Sequence, residues 1–211
     1  GFFDAVFTAN DKQVVSASDD ETASVWDVAS GDLLHTLKLP SKGSSVDLSA
    51  SGELLAVGCC DGQVALFDVT KSFSHLTTFT AHPYVYGSWL RLCFVPVAGR
   101  ALLATCFSRA KEAKVWDLSN IGDSTGPVLK PFVVLSGHET GLSDVAFSGD
   151  GALLATTSAD KTMKVWDAVT GRELHTLTGH SAWPYGAAFH PLNNGVLVSC
   201  AWDKSARVWS V

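Results

Sequence analysis

The sequence predicts an all-β protein built from repeated antiparallel meanders, and three observations carry that prediction. The first is the stretch from Gly137 to Asp167, where three short apolar runs, Leu142–Phe147, Leu153–Thr157 and Met163–Trp166, are separated by polar turns. Each run is too short for a stable helix and rich in residues that suit strands. The turns Gly149-Asp150-Gly151 and Ala159-Asp160-Lys161 carry hairpin chemistry. The second observation is recurrence. Val165-Trp166-Asp167 is echoed by Val25-Trp26-Asp27, Leu66-Phe67-Asp68, Val115-Trp116-Asp117 and Val208-Trp209-Ser210, at intervals of 41, 49, 50 and 43 residues. The third is register: Asp20, Asp61, Asp160 and Asp203 each lie six residues before an anchor.

Five repeats follow, approximately 1–40, 41–80, 81–136, 137–178 and 179–211, within one domain. Strands are expected in the first over Phe2–Thr8, Gln13–Ser18, Ala23–Val28 and, after the turn at Gly31, Leu33–Leu39. The second offers Ser45–Leu48, Leu54–Gly58, Gln63–Asp68 and Leu76–Phe79. The third offers Leu90–Phe94, Ala101–Cys106, Ala113–Asp117 and Val128–Leu135, with an expanded loop over Ser119–Gly126. The fourth adds Glu173–Leu177 to its three runs. The fifth supplies Gly186–Phe189, Val196–Cys200 and Ala206–Val211, and no helix is expected.

Composition narrows the function classes. Hydrophobic residues make up 46% of the 211 and charged residues 17%, which suits a sizeable core and argues against disorder. The formal net charge of −6 comes without any basic run, so direct nucleic-acid binding is not expected. No apolar run approaches membrane-span length, and no membrane partner is expected. The five cysteines include no CxxC pair, which leaves a zinc site unsupported and points to free thiols in a reducing, intracellular setting.

The co-occurrence in register of a leading His (His82, His138, His180), a turn Asp and a closing Trp resembles the WD-repeat β-propeller family over essentially the whole chain. The resemblance implies blades of four antiparallel strands around a central channel. Nineteen strands are visible where five blades would have twenty, so a seven-bladed ring of which this chain is part is expected, with a closed five-bladed ring as the rival. The resemblance also assigns His138, Thr156, Asp160 and Trp166, and His180, Ser199, Asp203 and Trp209, to a buried hydrogen-bond chain within one blade, indole to hydroxyl to imidazole to carboxylate. Ser16, Asp20 and Trp26, and His82, Thr105 and Trp116, form partial sets, with Ala110 at the Asp position of the latter. The second repeat has Val57 and Phe67 in place of hydroxyl and indole, and apolar packing is expected to hold it.

A hydrolase could be read into His, Ser/Thr and Asp. A triad also needs an exposed nucleophile and an oxyanion hole, and the same set recurring blade by blade fits a structural brace better than a single active site. No catalytic residue, metal or cofactor is therefore expected. The aspartates after the anchors, Asp27, Asp68, Asp117 and Asp167, read as turn caps. Asp4, Asp47 and Asp144 recur at similar places in the inner strands and supply the one hint of an alternative, a channel site for a cation or for catalysis.

The expected function is thus a non-catalytic scaffold that docks a protein or peptide within a larger complex. By the resemblance, loops leading into the first strands and hairpins between second and third strands form one face, the top. There the third repeat reads His82-Pro83-Tyr84-Val85-Tyr86-Gly87-Ser88-Trp89, and the span from His82 to Phe94 is twelve residues against nine from His138 to Phe147. The fifth carries Trp183, Pro184 and Tyr185, and Trp202 precedes Asp203. Tyr84, Tyr86, Trp89, Arg109, Trp183, Tyr185 and Trp202 are the expected partner-binding residues, with Trp183 and Trp202 the most exposed and Arg109, Lys111 and Glu112 a charged rim.

Overall fold

The computed structural model describes residues 2–121 and 129–211. Nineteen strands form five antiparallel sheets among these residues. Blade one contains β1 (Phe2–Phe7), β2 (Gln13–Ser18), β3 (Thr22–Asp27) and β4 (Leu33–Lys38). Blade two contains β5 (Gly43–Leu48), β6 (Leu54–Cys59), β7 (Gln63–Asp68) and β8 (Ser74–Thr80). Blade three contains β9 (Leu90–Phe94), β10 (Leu102–Phe107), β11 (Glu112–Asp117) and β12 (Val133–Ser136). Blade four contains β13 (Leu142–Phe147), β14 (Leu153–Ser158), β15 (Met163–Asp167) and β16 (Glu173–Leu177). Blade five has three strands, β17 (Pro184–His190), β18 (Asn193–Ala201) and β19 (Ala206–Ser210). The fold is a β-propeller, with strands paired in sequence order in every blade.

Strand boundaries differ from the sequence reading where turns decide them. The outer strand of blade three starts at Val133; Val128 and the expected loop beyond Ile121 fall outside the described residues. A single 3-10 turn, Val69–Lys71, appears where no helix was expected, because Asp68 accepts the backbone N–H groups of Thr70 and Lys71. Asp27, Asp117 and Asp167 likewise accept N–H groups of the turns that follow them, at 2.7–3.1 Å.

The hairpins between second and third strands have a shared construction. Asp20, Asp61, Asp160 and Asp203 each accept the N–H two residues on, at 2.9–3.0 Å. The next residue then takes left-handed backbone: Glu21 at φ 66°, Gly62 at 83°, Lys161 at 71° and Lys204 at 63°. Blade three lacks this aspartate, and its hairpin is one residue longer. Thr105 pairs with Lys114, nine residues on, whereas Thr156 pairs with Lys164, eight residues on. The additional residue falls in the Ser108–Lys111 turn that carries Arg109.

The core lies between blades. Val15, Ala17 and Val25 of blade one meet Val46, Leu55 and Val57 of blade two, and similar layers join blades two to three, three to four and four to five. The two end blades each keep an uncovered apolar face. Phe7 is 59% exposed where its counterpart Phe147 is 8%, and Val208 is 73% exposed where Val165 is 0%.

Candidate functional site

In blade four, Trp166 Nε1 donates to Thr156 Oγ1 at 2.9 Å, His138 Nε2 lies 2.8 Å from that hydroxyl, and His138 Nδ1 lies 2.8 Å from Asp160 Oδ2. Burial alone would push the Asp160 carboxyl up. Hydrogen bonds from Thr162, His138 and the Glu139 N–H outweigh it and hold the pKa at about 2. An ionised Asp160 cannot donate, so Nδ1 carries the proton, Nε2 accepts from the hydroxyl, and the hydroxyl accepts from the indole. Burial also lowers the His138 pKa, which keeps the ring neutral as this chain of bonds requires. Blade five repeats the geometry with Trp209, Ser199, His180 and Asp203 at 2.8 Å throughout. The hydroxyl and the imidazole of each set are buried, with Thr156 at 0% and Ser199 at 3% exposure, which closes the hydroxyl to any substrate.

The partial sets are shorter. Trp26 Nε1 donates to Ser16 at 2.9 Å, while Asp20 serves its own turn through Thr22. Trp116 Nε1 donates to Thr105 at 2.9 Å, and His82 Nε2 lies 3.1 Å from the same hydroxyl. With no carboxylate opposite, the His82 ring stacks on Phe107, and burial together with the Lys114 charge pushes its pKa down to about 4. In blade two, Asp61 bonds Gln63, and Val57 and Phe67 pack into the apolar layer.

The channel aspartates reach across to the neighbouring blades. Asp4 Oδ2 accepts from the Val46 N–H, Asp144 Oδ2 from the Ala187 N–H and Asp47 Oδ2 from the Phe94 N–H, each in the next blade. Asp47 sits two residues further along its strand than Asp4 and Asp144 do along theirs, which corrects the expectation of equivalent places. Arg91, at the Asp4 position of blade three, places Nη1 3.6 Å from Asp4 Oδ2. Its charge also bears on Asp144. The pattern is an inter-blade brace, and no group of three His, Cys, Asp or Glu among the described residues is placed to hold a metal.

Burial raises the pKa of Asp47 and of Asp144 to about 6. Between pH 4 and 6 the folded chain therefore binds more protons than the unfolded one, and these two groups make stability fall as pH rises through that window. Both carboxylates are partly reached by solvent, so each contributes on the order of 1–2 kcal/mol. Asp144→Asn keeps an acceptor for the Ala187 N–H. Its melting temperature relative to the natural chain is expected to rise from pH 4 to pH 7; a constant difference across that range would contradict the assignment.

The top face is defined by the four Asp turns and the loops beside them. There Tyr86 is 85% exposed, Trp202 69%, Tyr84 60%, Tyr185 51% and Trp89 38%. Trp183, expected among the most exposed, is only half-exposed because its ring stacks on Trp89, with centroids 6.1 Å apart and planes at 22°. Tyr185 meets Trp202 edge-on at 6.1 Å, and the Trp202 N–H donates to the Trp183 carbonyl at 2.9 Å. Trp89 is fixed to the longer hairpin of its own blade: its N–H donates to Ser108 Oγ and its carbonyl accepts from the Ser108 N–H, both at 3.0 Å. A cleft of about 430 Å³ opens between these loops, lined by Gly87, Trp89, Ser108, Arg109, Gly141 and Trp183. Ser108 and Gly141 were not anticipated from sequence. The hint was Thr105 to Trp116 at eleven residues, against ten from Thr156 to Trp166. A larger cleft, about 640 Å³, lies at the opposite end between blades two and three. It is lined by a mixture of polar and aliphatic residues with no aromatic side chain, and its Lys71 and Asp68 already pair at 2.9 Å.

Comparison with known proteins gives one family. The model of the WD domain, G-beta repeat, matches residues 3–27, 31–68, 129–167 and 171–210, more than half of the chain. The chain is 26% identical to nuclear distribution protein nudF of Aspergillus niger, covering 99% of this chain and 58% of that protein. It is 31% identical to nuclear distribution protein PAC1 of Arthroderma benhamiae, covering 94% of this chain and 33% of that one. It is 27% identical to the transcriptional corepressor LEUNIG_HOMOLOG of Arabidopsis thaliana over 70% of this chain and 19% of that one. The chain thus spans between about a fifth and three fifths of the length of these relatives.

Proposed function

We propose, from the premise that this chain belongs to the WD40-repeat family of β-propellers, that it is a non-catalytic docking platform whose top face receives a protein segment. One observation carries the reading. Blade three departs from the repeat in both of its top loops, a longer leading loop and a longer hairpin, and the two departures meet at the aromatic cleft between Trp89, Arg109 and Trp183. Loops on a rigid scaffold are where binding residues concentrate, and exposed Trp, Tyr and Arg are the side chains that dominate docking energetics. The tetrads, with their hydroxyls buried, stiffen the blades beneath. The nuclear distribution proteins among the relatives favour an intracellular setting, and five free thiols agree with a reducing compartment.

Short random peptides displayed on phage and selected on this chain test the reading. Binders are expected to lose about tenfold or more in affinity on Trp89→Ala or Trp202→Ala, in line with the weight of aromatic anchors. Val169→Ala, in a turn at the opposite end, should leave them unchanged. Binders indifferent to both tryptophans would place the docking surface elsewhere.

A further inference from the structure

We infer that the segment taken by this cleft is acidic: a carboxylate set beside an apolar anchor, the anchor covering Trp89 and the carboxylate paired with Arg109. The inference rests on the docking reading above and adds the chemistry of its occupant. Arg109 is exposed at the tip of the lengthened hairpin, lines the cleft, and has no ion pair among the described residues. A guanidinium held beside stacked aromatic rings presents a fork of donors suited to a carboxylate.

The charge around it is lopsided. Lys111, Lys161 and Lys204, on the hairpins of blades three, four and five, are also exposed and without an ion pair among the described residues. Asp160 and Asp203 are ionised but turned inward, with side chains only 7% exposed, toward His138 and Thr162 and toward His180 and Ser205, while Glu112 bonds Ser136. Glu139, on the loop that leads to Gly141, is exposed on this side of the face, and the other acids of the top face gather on blades one and two, at Asp20, Glu21 and Asp61. Around the cleft, exposed cations therefore outnumber the exposed acids, Glu112 and Glu139, by four to two.

The test uses the peptides selected above and their amide versions, with Asp or Glu replaced by Asn or Gln. Replacing the carboxylate is expected to weaken binding about tenfold, and Arg109→Gln to weaken the acidic peptide equally while leaving the amide peptide unaffected, the signature of one pair in a double-mutant cycle. Arg109→Glu should recover affinity for a peptide carrying Lys at that position. Peptides that need Trp89 but ignore the carboxylate and Arg109 would overturn the inference and leave the docking face standing. Failure to recover any Trp89-dependent peptide would remove both. Tighter binding of a short single-stranded RNA through Arg109 would also overturn it. The exposed position of Arg109 lets its variants fold, which a thermal melt verifies.

Discussion

Replacing Thr156 by alanine is expected to lower the stability of the chain by about 2–4 kcal/mol. The side chain has no solvent exposure and mediates between two polar partners. Without it, Trp166 Nε1 loses its acceptor and His138 Nε2 loses the hydroxyl 2.8 Å away, and neither atom has water to turn to. Each orphaned buried group costs ~1–3 kcal/mol, and the lost methyl adds a small cavity. Thr156→Ser restores the hydroxyl and should recover most of the loss. Thr178→Ala, exposed at the end of blade four, should stay within about 0.5 kcal/mol. Urea unfolding of the three variants separates these expectations. A Thr156→Ala loss no larger than that of Thr178→Ala would show that the indole and imidazole find other partners.

Gly141→Ala is expected to cost about 1–3 kcal/mol through overpacking and, at the same time, to weaken peptide binding about tenfold. A Cβ at Gly141 would stand 2.0 Å from the Ser108 carbonyl oxygen and 3.2 Å from Arg109 Cα. These are backbone atoms, and they have little freedom: the Ser108 N–H is held by the Trp89 carbonyl at 3.0 Å and the Ala110 carbonyl by the Leu142 N–H at 3.1 Å. The hairpin must therefore move as a unit and carry Arg109 away from Trp89 and Trp183. Gly87 is a useful contrast. Its φ of 73° makes a side chain locally strained, yet the nearest atom to a Cβ there is the mobile Arg109 guanidinium at 4.0 Å. Gly87→Ala should destabilise the loop without displacing the hairpin. If Gly141→Ala destabilised the chain with peptide affinity intact, the spacing of the cleft walls would not be what the peptide reads.

Much of this architecture was legible because it repeats. Trp26, Phe67, Trp116, Trp166 and Trp209 fix five registers, and each anchor lies in the third strand of a separate sheet. The turn Asp and closing Trp recur at a fixed six-residue spacing, while the grouping of four residues into one hydrogen-bond chain is what the family resemblance implies. The cleft was less legible for the opposite reason. Trp89 and Trp183 are far apart in sequence and belong to blades three and five, so their stacking depends on how blade four holds its neighbours apart. Exposure of Trp183 could not be judged without knowing that ring. The extra residue before Lys114 was visible as a count, but its effect, lifting Arg109 beside Gly141, is a matter of packing. Asp47 shows the limit of pattern matching. It looked equivalent to Asp4 and Asp144, yet β-strand register places it at the Cys93 level, where each residue faces the N–H of a phenylalanine in the next blade, Phe94 or Phe147.

The seven tryptophans supply the most direct test of the docking face. Trp26, Trp116, Trp166 and Trp209 spend their indole N–H groups inside blades, whereas Trp89, Trp183 and Trp202 belong to the cleft and its rim. In a nitrogen-15 NMR titration with a selected peptide, the indole signals of the three top-face tryptophans should shift and the four internal ones should stay in place. Shifts confined to the internal four, or absent from Trp89 and Trp183 at saturation, would contradict docking at this cleft.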